Sequence, residues 1–504
     1  MRHAALLSLV LLLAFLPAAA LAQKPGAPAA GAGAATSDDD TEKSVPGDQA
    51  KAKKAVTYTF RAYAWASKND NEKAIADFDE AIRSDPKYGP AYVGRGWVRD
   101  LKKEYDKAIA DFDEAIRLNP KDGTAYVARG RAFGNKGQRN KAIADFDEAI
   151  RLNPKYAPGF ENRGYTWAML QQNDKAIRDY DEAIRLDPKN AYAFANRAKA
   201  RVAQSDYDKA IADYDQAIRL NLKDSECYLE RGTAWALKGE HNKAISDFDE
   251  AIRLSPKSAF AWEGRGYEWA MLRQQDKAIR DYDEAIRLDP KNAITFANRG
   301  TARTALGDYD KALSDFDEAL RLDPEMTSVY VRRGRVWAEK KDYDKAIADY
   351  TKAISSNANE SSLRRDPRGM GDRWAIRGRG DVWAATHRYD RAIADYNEAL
   401  RVDPKDAEAH NKIAWIQATC PDAKFRDGKK AVEHATKACE LTGWETAAWL
   451  DTLAAAYAES GDFEAAVKWE TKARDMVSED AKADYQSRSD LYKAHKAYHE
   501  EATK

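Results

Sequence analysis

The sequence predicts an all-α chain of stacked antiparallel helix pairs, and three observations predict it. Pro86, Pro120, Pro154 and Pro188 stand 34 residues apart, and the ruler runs on through Leu222 to Pro256, Pro290 and Pro324. The same phrase precedes each mark; Lys107-Ala108-Ile109-Ala110-Asp111-Phe112-Asp113-Glu114-Ala115-Ile116-Arg117 is the copy ahead of Pro120. Within a copy, small residues and rings recur at helical spacing. Phe112 and Ala115 are three apart and share one helix face, and Gly96 and Ala108 are small where two helices must approach closely. A ring such as Phe112 buried between helices contributes roughly 2–3 kcal/mol. Gly137, Gly239 and Gly307 mark turns between the two helices of a copy, and each proline closes the second helix because it has no N–H to donate.

This 34-residue helix-turn-helix unit, with Tyr92, Gly96, Ala108, Phe112, Ala115 and Pro120 at the marked places, resembles the tetratricopeptide repeat. The resemblance covers nearly everything from Ala55 to Met476. It implies a right-handed superhelical solenoid of antiparallel helix pairs, with a concave groove lined by the first helix of each copy and used to hold peptides or partner helices.

In chain order, Met1-Arg2-His3 followed by the apolar run Ala4 to Leu16, Pro17 and Ala20-Leu21-Ala22 reads as a signal peptide over 1–22, cut before Gln23. The run is short for a bilayer span, which needs roughly 20 apolar residues. Residues 23–54, rich in Ala, Gly and Pro and then acidic and lysine-rich, are expected to form a disordered linker, with almost no large apolar side chains to offset the entropy of ordering. Nine regular copies occupy 55–356. An insertion at 357–372, rich in Ser, Arg, Gly and Asn, displaces the ruler by 12 residues and reads as a surface loop. A tenth copy fills 373–406 and two looser copies fill 407–478. The polar stretch 479–504 is expected to be a helix that covers the last apolar face, as solenoids require. Lys175 to Ala191 is identical to Lys277 to Ala293, so a block of three copies has been duplicated whole.

The charge is nearly balanced, 82 basic against 83 acidic residues, which argues against nucleic acid as a partner. No segment after the signal peptide is apolar enough to insert in a membrane. Asp113 and Arg117, Asp147 and Arg151, and Asp181 and Arg185 are four apart and are expected to pair on a solvated helix face. An acid repeated in every copy is poor material for a catalytic group. The three cysteines, Cys227, Cys420 and Cys439, are too few for a disulfide framework and are expected to be free thiols.

Mapping the family's groove positions onto this chain places Trp97, Tyr165 and Tyr267 at one equivalent site and Tyr192, Phe260 and Trp374 at another. Glu161 and Glu263 lie one turn before the two tyrosines, and Arg131, Lys199 and Arg335 take the tyrosine-equivalent place in other copies. Aromatic and arginine side chains are the usual anchors of protein interfaces; the alternative is that these rings pack against the next repeat. Asn162, Asn196, Asn298 and Arg332 occur where some relatives clamp a C-terminal carboxylate, but the accompanying lysines are missing. Arg379-Gly380-Asp381 spells an adhesion tripeptide inside an expected helix, where the glycine serves packing. His495 and His499 lie four apart with no third ligand beside them, so no metal site is assigned. No phosphate-binding loop, dinucleotide glycine pattern or nucleophile elbow is present, so no cofactor and no catalytic residue is assigned.

The sequence therefore reads as an exported, periplasmic or extracellular scaffold that binds protein or peptide partners, not an enzyme. One alternative is an enzyme or anion-binding protein using Arg364, Arg365, Asp366, Arg368 and Asp372 of the insertion or the divergent copies; another is self-assembly through the repeat ends.

Overall fold

A computed structural model describes residues 47–220, 224–357 and 370–501. The expected signal peptide, the linker as far as residue 46, Leu222 and the centre of the insertion lie outside the described residues. What is described is all-α, a succession of short helices with no strand among them. The helices form two compact units, one through Glu268 and one from Trp269 onward.

In the first unit each copy is a pair of antiparallel helices of 13 or 14 residues, apart from the 21-residue opening helix Gly47–Ser67. Gly89–Leu101 pairs with Tyr105–Leu118, and Gly123–Asn135 with Arg139–Leu152. The second helix ends two residues before the proline mark: Asn119 N–H closes on Ala115 O, and Pro120 follows in the turn. Asp122 then accepts from the N–H groups of Thr124 and Ala125 and starts the next first helix.

In most copies the two helices are locked by a ring seated on a glycine; Ala62 and Ala198 take that place in two others. A Cβ placed on Gly130 would lie 2.6 Å from the Phe146 ring, and one on Gly96 2.7 Å from Phe112. In the second unit Gly300 meets Phe316 at 2.8 Å and Gly380 meets Tyr396 at 2.8 Å in the same way. Phe112, Phe146, Phe248 and Phe316 are all essentially inaccessible to solvent. Arg379-Gly380-Asp381 is helical, within Met370–Ala385, and its glycine is spent on this contact.

The charges pair differently from the i,i+4 expectation. Arg117 turns back to Glu114, Arg151 to Glu148 and Arg185 to Glu182, on exposed surface. Asp113 is instead held by Arg129 of the following copy at 2.6 Å, Asp147 by Arg163 and Asp181 by Arg197. The same Arg129 grips the buried Asp145 of its own copy through Nε and Nη2 at 2.8 and 2.7 Å. Not all the recurring carboxylates are therefore a solvated face. Asp111, Asp145 and Asp213 are buried and two-pronged to arginine, where a charge-assisted bond outcompetes an exposed pair.

The turn glycines Gly137, Gly239 and Gly307 have φ of +84°, +85° and +80°. The matching turn of other copies holds Lys103, Gln171, Ser205 and Lys341 in the same left-handed region, so the turn is general and glycine is only its easiest occupant.

Three boundaries differ from expectation. The first helix begins at Gly47, inside the stretch read as linker, because Ala50-Lys51-Ala52-Lys53-Lys54 are good helix formers that continue into a packed helix. Asn357 closes one helix and Met370 opens the next, so both edges of the insertion are helical. The last helix is only Lys482–Lys493; His495 takes φ +56°, the helix stops, and His495 and His499 share no helix face. Cys227, Cys420 and Cys439 are buried free thiols.

Phe146→Ala should lower stability by about 3–5 kcal/mol through the cavity it leaves, and Gly130→Ala by about 1–3 kcal/mol through overpacking against the same ring. Urea unfolding of the two single variants and the double variant checks this. The double should cost less than the sum, because the methyl enters the space the ring vacates.

Candidate functional site

With rings on the second helices filling the interior, the first helices present what is left. Their ninth and thirteenth residues lie one turn apart on one face. In the first unit the ninth places hold Trp97, Arg131, Tyr165, Lys199, the buried Thr233 and Tyr267 among others, and the thirteenth include Leu101 and Met169. Tyr165 and Met169 are 39% and 37% exposed and Leu101 is 40% exposed, making them three of the few large apolar side chains left in water.

The other expected groove residues are placed unevenly. Trp97 is half-buried against Phe112 and Ala132, so most of its ring serves the packing between copies. Tyr267 is half-buried beside Phe248 and Trp235. Phe260 is also half-buried. Glu161 accepts a 2.8 Å bond from Asn190 Nδ2 of the turn that starts the next copy. Glu263 leaves the row altogether: only 2% exposed, it belongs to the interior. Arg131 is half-buried and faces Asp100, whose carboxyl is lifted above its ordinary range by burial against the opposing pull of Asn135 and Arg131.

Tyr192 and Lys199 share a depression between two consecutive first helices, Ala191–Ala203 and Ser225–Lys238. It holds about 280 Å³ of empty space, counting the part open to solvent. Lys199 Nζ lies 2.5 Å from Glu226 Oε1 and 3.6 Å from Glu230 Oε1. Burial works against its charge, but the two glutamates outweigh it and hold the ammonium above its usual range. Burial also raises Glu230, and it pushes the Cys227 thiol up to about 12. That thiol is inert at neutral pH. Behind them the Tyr214 hydroxyl is buried without a hydrogen-bond partner. Chemically the depression is an ion-pair cluster that holds two helices together.

In the second unit Arg335 is exposed, while Trp374 is half-buried with the Arg377 guanidinium 4.4 Å from its ring centre. Arg377 is itself buried and pairs with Asp406 and Glu408 at 3.0 and 2.9 Å. Trp374 is thus committed to its own helix and the next.

Sequence reasoning missed the busiest part of this face. Trp415 is the ninth residue of the first helix Ala407–Thr419, in register with Trp97, Tyr165 and Lys199. The chain beyond Lys493 runs back over it. Glu500 N–H donates to Thr419 O at 2.8 Å, and Trp415 Nε1–H donates to Glu500 Oε1 at 2.7 Å. His499 Nε2 lies 2.7 Å from Oε2 of Glu459, the last residue of the next first helix, Ala447–Glu459. Tyr498 packs tilted on Trp415, ring centres 6.2 Å apart. Only the register of Trp415 could have pointed here.

Nearby, Asp451, Glu470 and Arg488 are enclosed where Lys482–Lys493 docks. Arg488 Nε is 2.7 Å from Asp451 Oδ1 and 3.4 Å from Glu470 Oε1. Glu470 is fully buried, and burial followed by the Asp451 charge pushes its carboxyl up to about 9. Among the described residues no group of three His, Cys, Asp or Glu side chains could hold a metal, and no helix is long and apolar enough to cross a membrane. Arg364, Arg365, Asp366 and Arg368 lie outside the described residues.

Models of the tetratricopeptide repeat match residues 55–88 and 123–156, 89–122, 259–292, and 196–259 and 298–361. A further model of the same repeat matches 169–205 and 380–418, and together they span more than half of the chain. The chain belongs to the tetratricopeptide repeat family. These repeats mark it as a scaffold for protein–protein interaction. Among curated proteins none matches it. Among solved structures it is similar to YrrB, a tetratricopeptide repeat protein with an unusual peptide-binding site, at 23% identity over 36% of this chain and 95% of that one, TM-score 0.33. It is similar to a tetratricopeptide repeat protein from Parabacteroides merdae at 18% identity, 50% and 99% coverage, TM-score 0.39. It is also similar to yeast Tom70 at 15% identity, 88% and 96% coverage, TM-score 0.36.

Glu470 stays protonated in the fold up to about pH 9, whereas in the unfolded chain it ionises in the ordinary carboxyl range. Its contribution is therefore complete below about pH 4.3 and is lost as pH rises toward 9. Glu470→Gln should raise the melting temperature of the tetratricopeptide array's C-terminal part by about 2–4 °C at pH 8, with the gain vanishing near pH 4. Calorimetric scans across that range check it.

Proposed function

We propose that this protein is a non-catalytic scaffold outside the cytoplasm that binds extended peptide or protein segments along the concave first-helix groove expected of its family. One observation carries the reading: Tyr165, Met169 and Leu101 stand exposed on the first-helix face although the interior of each copy is already filled by a second-helix ring. Exposed apolar side chains in repeat register are interface material.

The location rests on the N-terminal sequence, where a basic start, an apolar run over Ala4–Leu16 and the Ala20-Leu21-Ala22 site make a signal peptide. A reporter phosphatase that works only outside the cytoplasm, fused after residue 54, should be active. It should fall silent when Leu11 and Leu12 become arginine. Activity unchanged by those substitutions would refute export by this segment.

For binding, the mature chain and a Leu101→Ala/Tyr165→Ala/Met169→Ala variant are compared in affinity capture from native extract. The exposed positions should change the melting temperature by no more than about 1–2 °C, since surface substitutions are usually within 0.5 kcal/mol each. Partners held by the wild type should be lost by the variant. Equal capture by both would show that this face is not the working surface.

A further inference from the structure

The irregular tail after Lys493 is placed as a bound peptide would be. Its amide at Glu500 satisfies the carbonyl of Thr419, one of the free acceptors at the end of a first helix. Its Glu500 carboxylate takes the Trp415 indole N–H, its His499 ring takes the Glu459 carboxylate, and its Tyr498 ring lies on Trp415 with the Arg488 guanidinium 5.8 Å from its centre. Ala497 and Tyr498 also pack against the buried cluster of Ala454, Ala458, Ala466 and Tyr492. Backbone bonding, a carboxylate contact and an aromatic contact together engage two consecutive first helices. Tyr492 of Lys482–Lys493 is itself buried in that cluster, so the tail lies beside the helix that ends the array.

We propose that residues 494–501 are an intramolecular ligand. They fill the first-helix face of the last two copies, and a partner segment of the same chemistry, an aromatic side chain two residues ahead of a carboxylate, enters only by displacing them. A tethered occupant acts at a high effective concentration, about millimolar for a short flexible connection, so even a weak contact screens the face against weaker competitors. The proposal shares with the proposed function the premise that first-helix faces take extended segments. It is tested on a different part of the array from Leu101, Tyr165 and Met169, so either can fail without the other.

The probe is a fluorescent peptide of residues 494–504, titrated into the whole chain by anisotropy. A Tyr498→Ala/Glu500→Lys chain, whose own tail no longer fits, should bind the probe at least about tenfold more tightly than the wild type. Adding Trp415→Ala should remove that binding. Equal affinity for wild type and variant, or no binding to a variant with unchanged melting, overturns the proposal. Hydrogen exchange of the unaltered chain supplies a readout that does not depend on the variant folding. The Glu500 amide should exchange more slowly than in the free peptide, and about tenfold faster in Trp415→Phe, which keeps a ring but has no N–H to donate. Exchange of the wild-type Glu500 amide at the free-peptide rate overturns the proposal outright.

Discussion

The structure depends on one close approach, the second-helix ring set directly on the first-helix glycine. Phe146 on Gly130 and Phe112 on Gly96 bring two helix backbones nearer than a Cβ at those glycines would permit without a shift. The ring is thereby removed from water while the opposite side of the first helix stays free. Because the contact recurs along each unit, the helix pairs stack in one register, and equivalent residues come to lie in rows. Any face this protein offers a partner is a consequence of that register.

Arginine adds a second, electrostatic register. Arg129 spans Asp145 of its own copy and Asp113 of the copy before, and Arg163, Arg197 and Arg333 do the same at their places. Partial burial shelters these bonds from screening and makes their geometry strict. They contribute more to the choice of alignment between copies than to net stability, since desolvating both partners cancels much of the attraction. The consequence for function is that the second-helix aspartates are occupied, and the variable chemistry is confined to first helices and the chain end.

That variable chemistry differs along the array. Tyr165 and Met169 are presented to solvent, Lys199 is enclosed by Glu226 and Glu230, and Trp415 is covered by the chain's own C-terminal residues. Equivalent positions have therefore been put to three uses: open surface, helix-to-helix ion pairing, and a contact with the tail. A scaffold built this way varies its recognition one copy at a time without disturbing the ring-on-glycine contact beneath.

By itself the sequence determined the helix pairs, their period and the identity of the interior rings, because these follow from spacing and side-chain size within a single copy. Phe112, Gly96 and the proline marks were legible for that reason. The turn was legible at Gly137 and not at Lys103 or Gln171, where a residue with no preference for φ > 0 takes the same conformation because the flanking helices impose it. Only the tertiary structure decided which acid each arginine takes: Asp113 lies one turn from Arg117, yet Arg129 of the neighbouring copy supplies its sheltered bond. It likewise decided that Glu263 is inside, that Trp374 lies under Arg377, and that the final helix stops at Lys493 so the chain can turn back over Trp415. The arginine bonds between copies and the cover over Trp415 join residues 16 and 85 positions apart, which local periodicity does not encode.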